Sequence, residues 1–353
     1  MTKGKATSPP CIVVCGNYNY VSTTLGLANG FKSIGWEVHR VDLGSFSPKS
    51  RSLTDRIVGR LFQNVMIRKY NRAILECVLT LKPAAFLMIK GTNVSQETID
   101  EIRRAGTLVI NYYPDLHFSY KGVDEAEFAS CDRFYTTKSF QVDYLEKLIG
   151  TGRVEFLNHG YLPGFHAPPE ILESGGKHSV DILYIGNHSE EKESWLLSIK
   201  QSFPDAILKI YGNRWQNVKS KNILGASIGE GPLYGADYAA AINSAKINLG
   251  IHMGRHEESG WSDLVSTRTF EIPACKGFML HIDNDDVRQL FTPGVEIDVF
   301  RNMDELKNKI DFYLSRDEMR HEMLERAYER CVPAYSYDAR ARVIADWILS
   351  QQN

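Results

Sequence analysis

Several features that mark familiar protein classes are absent from this chain. No Cys-x-x-Cys pair and no histidine-rich cluster offers the ligand spacing of a zinc site. No Gly-x-Gly-x-x-Gly segment occurs, so an NAD-type site lacks its fingerprint. The formal net charge is only −2 over 353 residues, which gives no electrostatic reason to bind nucleic acid or an anionic membrane surface. These absences argue against a metal centre, a dinucleotide oxidoreductase and a nucleic-acid-binding protein.

Near the amino terminus there is also no long apolar segment. After Lys3 and Lys5 the first apolar run covers only residues 11–15, which suits a strand and is too short for a signal peptide or a membrane span. The six cysteines are scattered, which favours reduced structural thiols in a cytoplasmic protein. They are Cys11, Cys15, Cys77, Cys131, Cys275 and Cys331.

What is present is the composition of a soluble globular protein, with 43% hydrophobic and 24% charged residues and enough length for two domains. Short apolar runs alternate with amphipathic stretches, which predicts parallel sheets covered by helices on both faces. The predicted strands are residues 11–16, 37–43, 84–91, 107–115, 133–137 and 153–160, then 181–187, 207–213, 246–253, 278–283 and 296–300. The principal predicted helices are 23–34, 190–202, 234–244, 304–315 and 317–331.

Residues 163–178 interrupt this alternation, because prolines and glycines replace the periodic pattern. The interruption predicts two doubly wound α/β domains, 1–165 and 179–336, joined by a linker at 166–178. The final segment, 337–353, has a helical apolar stripe through Ala341, Ile344, Trp347 and Ile348.

The segment 262–280 is the most informative about function. Asp263 and Glu271 are separated by seven residues, and Arg268 lies between them. A short helix predicted at 269–276 would place Ser266, Thr267 and Arg268 at its N-terminus, where a phosphate is stabilised by free amides and the helix dipole. Glu271, one turn further on, could accept hydrogen bonds from the hydroxyls of a ribose. The alternative is a weak solvent-facing pair between Arg268 and Glu271.

This arrangement resembles the donor-nucleotide site of the group-1 glycosyltransferases, which have the GT-B fold. The Arg-x-Phe-Glu element at Arg268, Phe270 and Glu271 is most similar to the branch typified by spore-maturation glycosyltransferases. In the family an acidic residue, seven intervening residues and a glutamate form the signature. The resemblance implies that the first acidic residue, here Asp263 in place of the usual glutamate, contacts the donor sugar and that Glu271 contacts the ribose.

In doubly wound sheets, ligands bind beyond the carboxyl ends of the strands. The resemblance therefore assigns nucleotide contacts to residues at these ends and in the neighbouring loops: Gly186, Asn187, Lys192, Tyr211, Gly212, Asn213, Arg255, Gly16 and Asn17. Asp115 and His117 are the candidates for the sugar or acceptor side, and His252 and His256 are further candidates for phosphate or sugar contacts. For the glycines a plain strand-to-helix turn is the alternative, and for Asp115 the alternative is a cap.

The resemblance implies a glycosyltransferase that moves a sugar from a nucleotide diphosphate-sugar to an acceptor hydroxyl, with retention of configuration. Asp263, Arg268 and Asp115 are the expected catalytic residues, and the nucleotide-sugar is a substrate, with no metal or other cofactor required. The acceptor would be a saccharide, a small molecule or a lipid-linked sugar, the last of which would bring a cytoplasmic enzyme to the inner face of the membrane. A nucleotide-sugar epimerase and a catalytically silent nucleotide-binding subunit remain alternatives. In GT-B enzymes the C-terminal helix often crosses back to the first domain.

Overall fold

The computed structural model of the protein describes residues 9–46, 63–169, 178–252 and 254–352. The chain divides into two compact units. The first comprises the described residues of Met1–His159 together with Tyr337–Asn353, and the second comprises those of Gly160–Ser336. The segment 166–178, which the sequence analysis assigns to a linker, lies partly outside the described residues.

The first unit is built on a six-stranded parallel sheet in the order β2-β1-β3-β4-β5-β6. Its strands are β1 (Cys11–Gly16), β2 (Glu37–Asp42), β3 (Ala85–Ile89), β4 (Leu108–Tyr113), β5 (Arg133–Thr136) and β6 (Val154–Phe156). Its helices are α1 (Thr23–Ser33), α2 (Gln63–Leu81), α3 (Gln96–Arg104) and α4 (Val142–Ile149). The central strands are apolar and buried on both faces, as expected for a sheet covered by helices on each side.

The second unit has a five-stranded parallel sheet in the order β11-β10-β9-β7-β8. Its strands are β7 (Val180–Ile185), β8 (Leu208–Tyr211), β9 (Ala245–Gly250), β10 (Met279–Ile282) and β11 (Asp298–Phe300). Its helices are α5 (Glu190–Ser202), α6 (Lys221–Leu224), α7 (Gly235–Ser244), α8 (Arg268–Ala274), α9 (Asp285–Leu290), α10 (Met303–Leu314) and α11 (Asp317–Cys331). Two apolar clusters, one on each face of this sheet, form its core.

The last helix, α12 (Tyr337–Ser350), belongs to the first unit and packs against α1. The helices approach closely because two glycines of α1 face Tyr337: a Cβ atom on Gly26 would lie 2.3 Å from Cδ2 of Tyr337, and one on Gly30 would lie 2.5 Å from its carbonyl oxygen. Thr23 and Tyr337 share a hydroxyl hydrogen bond of 3.1 Å. Ala341 and Ile344 are fully buried.

The sequence-predicted strands are confirmed in order and position, but several are shorter than the apolar runs indicated. The strand predicted at 107–115 ends at Tyr113, because Pro114 has no amide to continue the ladder. The strand predicted at 246–253 ends at Gly250, and Met253 lies outside the described residues. Among the described helices, none has both the length and the apolar character that crossing a bilayer requires.

Candidate functional site

Arg268 begins α8, and its side chain reaches the carboxyl end of β7. Its Nη1 donates a hydrogen bond of 2.8 Å to the carbonyl oxygen of Ile185, and its Nη2 lies 3.1 Å from Nδ1 of His252. The guanidinium carbon lies 5.6 Å from the centre of the Tyr184 ring, within the range of a cation–π contact. The Nε atom is buried and has no hydrogen-bond partner within the part of the chain that the structure describes. A bound ligand or water can satisfy such a buried donor.

Gly186 follows β7 and lies directly against this guanidinium. A Cβ atom on Gly186 would lie 1.9 Å from Nη1 of Arg268 and 2.5 Å from the hydroxyl of Tyr184, so a larger residue would displace both groups. The amide of Gly186 donates to the carbonyl oxygen of Tyr211 at 2.8 Å, and its own carbonyl oxygen accepts from Nε1 of Trp215 at 2.8 Å. The backbone at residue 186 therefore packs directly against the Arg268 guanidinium. This contact requires glycine, whereas a plain strand-to-helix turn would not.

The ends of β7 and β8 are held together beside Gly186. The Oδ1 atom of Asn187 accepts from both the amide (3.2 Å) and Nδ2 (3.0 Å) of Asn213. Gly212 has a φ of +144°, and a Cβ atom there would lie 2.1 Å from the carbonyl oxygen of Gly186. The structure thus brings together the predicted contact positions Gly186, Asn187, Gly212 and Asn213. Tyr211, a fifth predicted position, is the last residue of β8.

Glu193 anchors the loop that follows β8. Its carboxylate accepts from the amides of Lys219 (2.9 Å) and Ser220 (2.7 Å) and pairs with Nε2 of His188 at 2.7 Å. Burial acts to raise the pKa of this carboxyl, but the hydrogen bonds from His188 and the two amides outweigh it and lower the pKa to about 2. The His188 ring packs edge-on against Trp215 at 4.9 Å. These contacts hold Trp215 against Gly186.

Lys192 is in the first turn of α5, which begins at its N-cap Ser189. Burial lowers the pKa of the Lys192 ammonium to about 8; the positive charge of Arg268 adds to this, and the carboxylates of Asp263 and Glu191 oppose it. The positive charge of Arg268 therefore acts on the Lys192 ammonium. Two cations held together in a partly buried place favour the binding of a multiply charged anion.

Glu271 is buried one turn into α8, with 8% of its surface exposed. Its Oε2 accepts a hydrogen bond of 2.9 Å from the hydroxyl of Tyr238. Its Oε1 lies 3.8 Å from Nε2 of His166, which is longer than a hydrogen bond. Burial lowers the pKa of His166, against the opposing effect of the Glu271 charge, so the carboxylate faces a largely neutral ring. Glu271 is therefore not the solvent-facing partner of Arg268 that the alternative interpretation required.

The segment before α8 carries the remaining predicted residues of this unit. The Oγ atom of Ser266 is buried and unpaired among the described residues, and the carbonyl oxygen of Thr267 accepts the amides of Phe270 and Glu271, at 2.9 Å each. The amide of Asp263 donates to the carbonyl oxygen of Gly254 at 2.8 Å. Arg255 is exposed, and its backbone pairs with Ser262 in an isolated antiparallel bridge.

The other predicted residues belong to the first unit. Asp115 forms an ion pair with Lys90, whose ammonium lies 3.7 Å from the centre of the Tyr120 ring. The ring of His117 stacks on the same Tyr120 ring, with 4.1 Å between the ring centres. Asp115, Lys90, His117 and Tyr120 thus form one cluster beyond the ends of β3 and β4.

Gly16 and Asn17 follow β1 in the same unit. A Cβ atom on Gly16 would lie 2.8 Å from Oγ1 of Thr24, which fixes the turn into α1. The exposed Asn17 accepts a local hydrogen bond of 3.2 Å from the amide of Asn19. At these two positions the contacts are those of a tight strand-to-helix turn.

One sequence segment and one side-chain cluster among the described residues contain residue types that bind metals. The Asp-x-Asp segment at 283–285 is engaged structurally, because Asp283 binds Arg288 at 2.6 and 2.7 Å and Asn284 caps α9. The cluster is Cys11, Glu37 and His39, whose ligand atoms all lie within 4.8 Å of one another at the start of β1 and β2 in the first unit. Neither includes a residue of the Arg268 site.

Sequence reasoning missed Tyr184, Tyr238, His166 and Trp215. Tyr184 had a usable signal, because it stands two residues before Gly186 and so faces the same side of β7. Tyr238 and His166 reach Glu271 from elements distant in sequence, and nothing in their local pattern marks them. Trp215 is 2% exposed and could be read from the sequence only as a core residue.

Comparison with known proteins agrees with this architecture. A family model described as glycosyl transferase-like matches residues 191–346, a span that includes Lys192, Arg268 and Glu271. Among curated proteins, none matches the sequence significantly.

Solved structures resemble the chain over almost its full length at low sequence identity. A sucrose-phosphate synthase from Thermosynechococcus elongatus has 12% identity and a TM-score of 0.66, with 98% of this chain and 99% of that chain covered. Anabaena HepE in complex with UDP and glucose has 10% identity and a TM-score of 0.66, with 97% and 100% covered. A UDP-N-acetylglucosamine 2-epimerase, described as putative, from Listeria monocytogenes has 12% identity and a TM-score of 0.55, with 96% and 95% covered. These likenesses show that the chain has the GT-B fold, and the glycosyl transferase-like family model covers a part of its second unit and of the last helix.

Proposed function

We propose that this protein transfers a sugar from a nucleotide diphosphate-sugar to an acceptor hydroxyl. The observation that carries the proposal is the arrangement around Gly186: the guanidinium of Arg268 lies against Gly186, and Nζ of Lys192 donates to the carbonyl oxygen of Asn187 at 3.4 Å. Arg268 also keeps a buried donor unpaired among the described residues. Glu271 lies one turn further along α8, where its carboxylate can accept hydrogen bonds from vicinal ribose hydroxyls. These are the groups that a nucleoside diphosphate requires.

The chemistry follows from where charge develops. When the glycosidic bond to the diphosphate breaks, negative charge grows on the leaving phosphate, and Arg268 and Lys192 stabilise it in the transition state. Asp263, whose charge is felt by Lys192, contacts the sugar end of the donor in this proposal. Retention of configuration by front-face attack is the proposed stereochemistry. The Arg-x-Phe-Glu element supports placing the chain in the spore-maturation-like branch.

The acceptor side is assigned to the Asp115 cluster of the first unit. Asp115 is paired with Lys90, so its side chain is oriented before any acceptor binds. A carboxylate of this kind can take a hydrogen bond from an acceptor hydroxyl or receive its proton. We propose a saccharide, small-molecule or lipid-linked acceptor, with the enzyme acting in the cytoplasm or against the inner face of the membrane.

We also propose that the reaction needs no metal ion. Arg268 and Lys192 together provide two positive charges for the diphosphate, which is the role a divalent cation fills in other transferases. Turnover measured before and after exhaustive treatment with EDTA checks this. A loss of activity that Mg²⁺ or Mn²⁺ restores would contradict it.

An epimerase is the second candidate, because a solved UDP-N-acetylglucosamine 2-epimerase has a similar fold. A silent nucleotide-binding subunit is the third, since Asp263 is one methylene shorter than the glutamate of the resembled family. Incubation with a nucleotide-sugar, first without and then with a panel of acceptors, separates the three. An epimerase yields an epimerised sugar, a silent subunit yields no product, and a transferase yields at most slow hydrolysis until an acceptor is added.

The first experiment is a thermal-shift screen against UDP, GDP, ADP and TDP, with the matching nucleosides as controls. A ligand that binds only the folded state raises the melting temperature in proportion to the logarithm of its concentration over Kd. We expect one diphosphate to stabilise the protein more than its nucleoside does. Turnover is then measured with sugars of that nucleotide. No stabilisation by any diphosphate at millimolar concentration would contradict the proposed function.

A further inference from the structure

Behind Arg268, in the second unit, a chain of hydrogen bonds runs through His252, Thr269 and His281. Nη2 of Arg268 lies 3.1 Å from Nδ1 of His252, and Nε2 of His252 lies 3.3 Å from Oγ1 of Thr269. Thr269 Oγ1 lies 3.0 Å from Nε2 of His281, whose Nδ1 lies 2.7 Å from the carbonyl oxygen of Ile282. Thr269 and His281 are fully buried, and His252 is 5% exposed.

The direction of every hydrogen bond in this chain can be worked out from its buried end. The Ile282 carbonyl can only accept, so Nδ1 of His281 carries a proton and donates to it. Burial lowers the pKa of His281 to about 4, so the ring is neutral and its Nε2 is an acceptor. The Thr269 hydroxyl must therefore donate to His281.

The other contacts of the Thr269 oxygen fix the outer half of the chain. Its two lone pairs accept from the amide of Ser266 (3.3 Å) and from Nε2 of His252, which therefore carries the proton on that ring. The Nδ1 atom of His252 is left as an acceptor and faces the Arg268 guanidinium. With the opposite tautomer, two N–H donors would face each other at this point.

We propose that Thr269 and His281 are positioning residues that hold His252 in its Nε2–H tautomer, so that Nδ1 of His252 fixes the Arg268 guanidinium toward the diphosphate. The inference rests on the proposed function in assigning a diphosphate to Arg268. The tautomer itself is a property of the free protein and does not depend on that assignment. A second anchor at Ile185 holds Nη1, so the two anchors together fix both the position and the plane of the guanidinium.

The tautomer is tested in the wild-type protein by two-bond ¹H–¹⁵N correlation spectra of the histidine rings. The His252 and His281 signals are assigned by their loss in His252→Asn and His281→Asn. We expect protonated Nε2 in His252 and protonated Nδ1 in His281. A His252 ring protonated at Nδ1 would overturn the proposal, whatever any variant shows.

The coupling to Arg268 is tested with Thr269→Val, which keeps the shape of the side chain and removes the hydroxyl. Thr269→Ser restores the hydroxyl, and Thr98→Val is the matched control, because it removes a buried hydroxyl that donates to Asn71 at 2.8 Å in the first unit. Binding is measured with UDP and uridine, and with GDP and guanosine. We expect Thr269→Val to weaken diphosphate binding roughly tenfold, to leave nucleoside binding unchanged and to give His252 a mixed tautomer. Thr269→Ser and Thr98→Val should retain wild-type values.

The outcomes separate this inference from the proposed function. If Arg268→Ala leaves the preference for diphosphate over nucleoside unchanged, the proposed role of Arg268 fails. If Arg268→Ala abolishes that preference but Thr269→Val keeps both the preference and the His252 tautomer, the proposed positioning fails and the function stands. Equal losses of diphosphate affinity in Thr269→Val and Thr269→Ser would show that Thr269 acts through its packing and not through its hydroxyl. That result would also overturn the proposal.

Discussion

Gly186 and Arg268 share a space that only one side chain can occupy. A Cβ atom on Gly186 would lie 1.9 Å from Nη1 of Arg268, far inside van der Waals contact. The guanidinium therefore takes its observed position because residue 186 has no side chain.

Gly186→Ala should lower affinity for the nucleotide diphosphate by at least about tenfold, because the new methyl group must push Arg268 away from Ile185. The measurement is isothermal titration calorimetry, combined with a double-mutant cycle on Arg268→Ala. In the Arg268→Ala background, Gly186→Ala should lower the diphosphate affinity much less. Equal and independent effects of the two substitutions would show that the contact has no bearing on binding.

Arg268→Ala should slow sugar transfer, or donor hydrolysis as its proxy, by a factor on the order of a hundred or more, since the developing charge on the diphosphate loses its closest cation. Arg268→Lys should recover only part of the rate, because an ammonium cannot make the planar two-pronged contact. Arg288→Ala is the control; that arginine pairs with Asp283 on the surface of the same unit. Wild-type rates in a folded Arg268→Ala protein would remove the main support for this enzyme class.

Glu271→Ala should weaken nucleotide binding by about 1–3 kcal/mol, as expected when hydrogen bonds between a carboxylate and hydroxyls are lost. The nucleotide affinity of Glu271→Gln should fall between those of Glu271→Ala and the wild type, because the amide keeps the side-chain volume and one acceptor oxygen. Glu325→Ala removes a surface carboxylate that binds Lys276 at 2.8 Å and should leave affinity intact. Calorimetry is the test, and unchanged affinity in a folded Glu271→Ala protein would place the ribose elsewhere.

Asp263→Asn should lower turnover while leaving the affinity for the free nucleotide nearly unchanged, if Asp263 contacts the sugar and not the base or ribose. The comparison uses kcat with the nucleotide-sugar and Kd with the nucleotide alone. Asp237→Asn, on the exposed first turn of α7, is the matched control. Full activity in Asp263→Asn would favour an epimerase or a purely structural role for this carboxylate.

Diphosphate affinity should fall as the pH rises through about 8, the lowered pKa of Lys192 in the free protein. Below that pH the ammonium is present and attracts the diphosphate; above it the group is neutral and the attraction is lost. Titration between pH 7 and pH 9.5 gives the profile, with the corresponding nucleoside as a reference that lacks the phosphates. In Lys192→Arg the fall should disappear, because a guanidinium stays protonated throughout. An identical profile in Lys192→Met would assign the effect to another group.

Much of the fold follows from the sequence, because its elements are defined by local signals. The predicted helices at 190–202 and 317–331 agree with α5 and α11, since Ser189 provides a capping oxygen for the first and both have clear helical periodicity. Each buried strand is a short apolar run that ends near a polar or glycine residue. Strand ends were less predictable, because the last hydrogen bond of a strand depends on its neighbour in the sheet.

The candidate site was only partly predictable. Arg268, Glu271, Gly186 and Asn213 could be named because each stands at a strand end or in a spaced motif. The partners of Glu271 and the hydrogen-bond chain from His252 through Thr269 to His281 could not, because each set joins residues from separate elements across the tertiary structure. Local periodicity carries no information about such contacts. The Lys90 partner of Asp115 was also unpredictable, for the same reason.

The packing of α12 on α1 makes the first unit discontinuous along the chain. Its sheet is complete by Phe156, yet among the described residues it is the helix beginning at Tyr337 that fills the groove above Gly26 and Gly30. During synthesis the ribosome must therefore make the whole second unit before the first can bury Ala341 and Ile344 against α1. A fragment that stops at Ser336 would expose this apolar groove, so expression of the first unit alone calls for a circular permutation or a graft of the last helix.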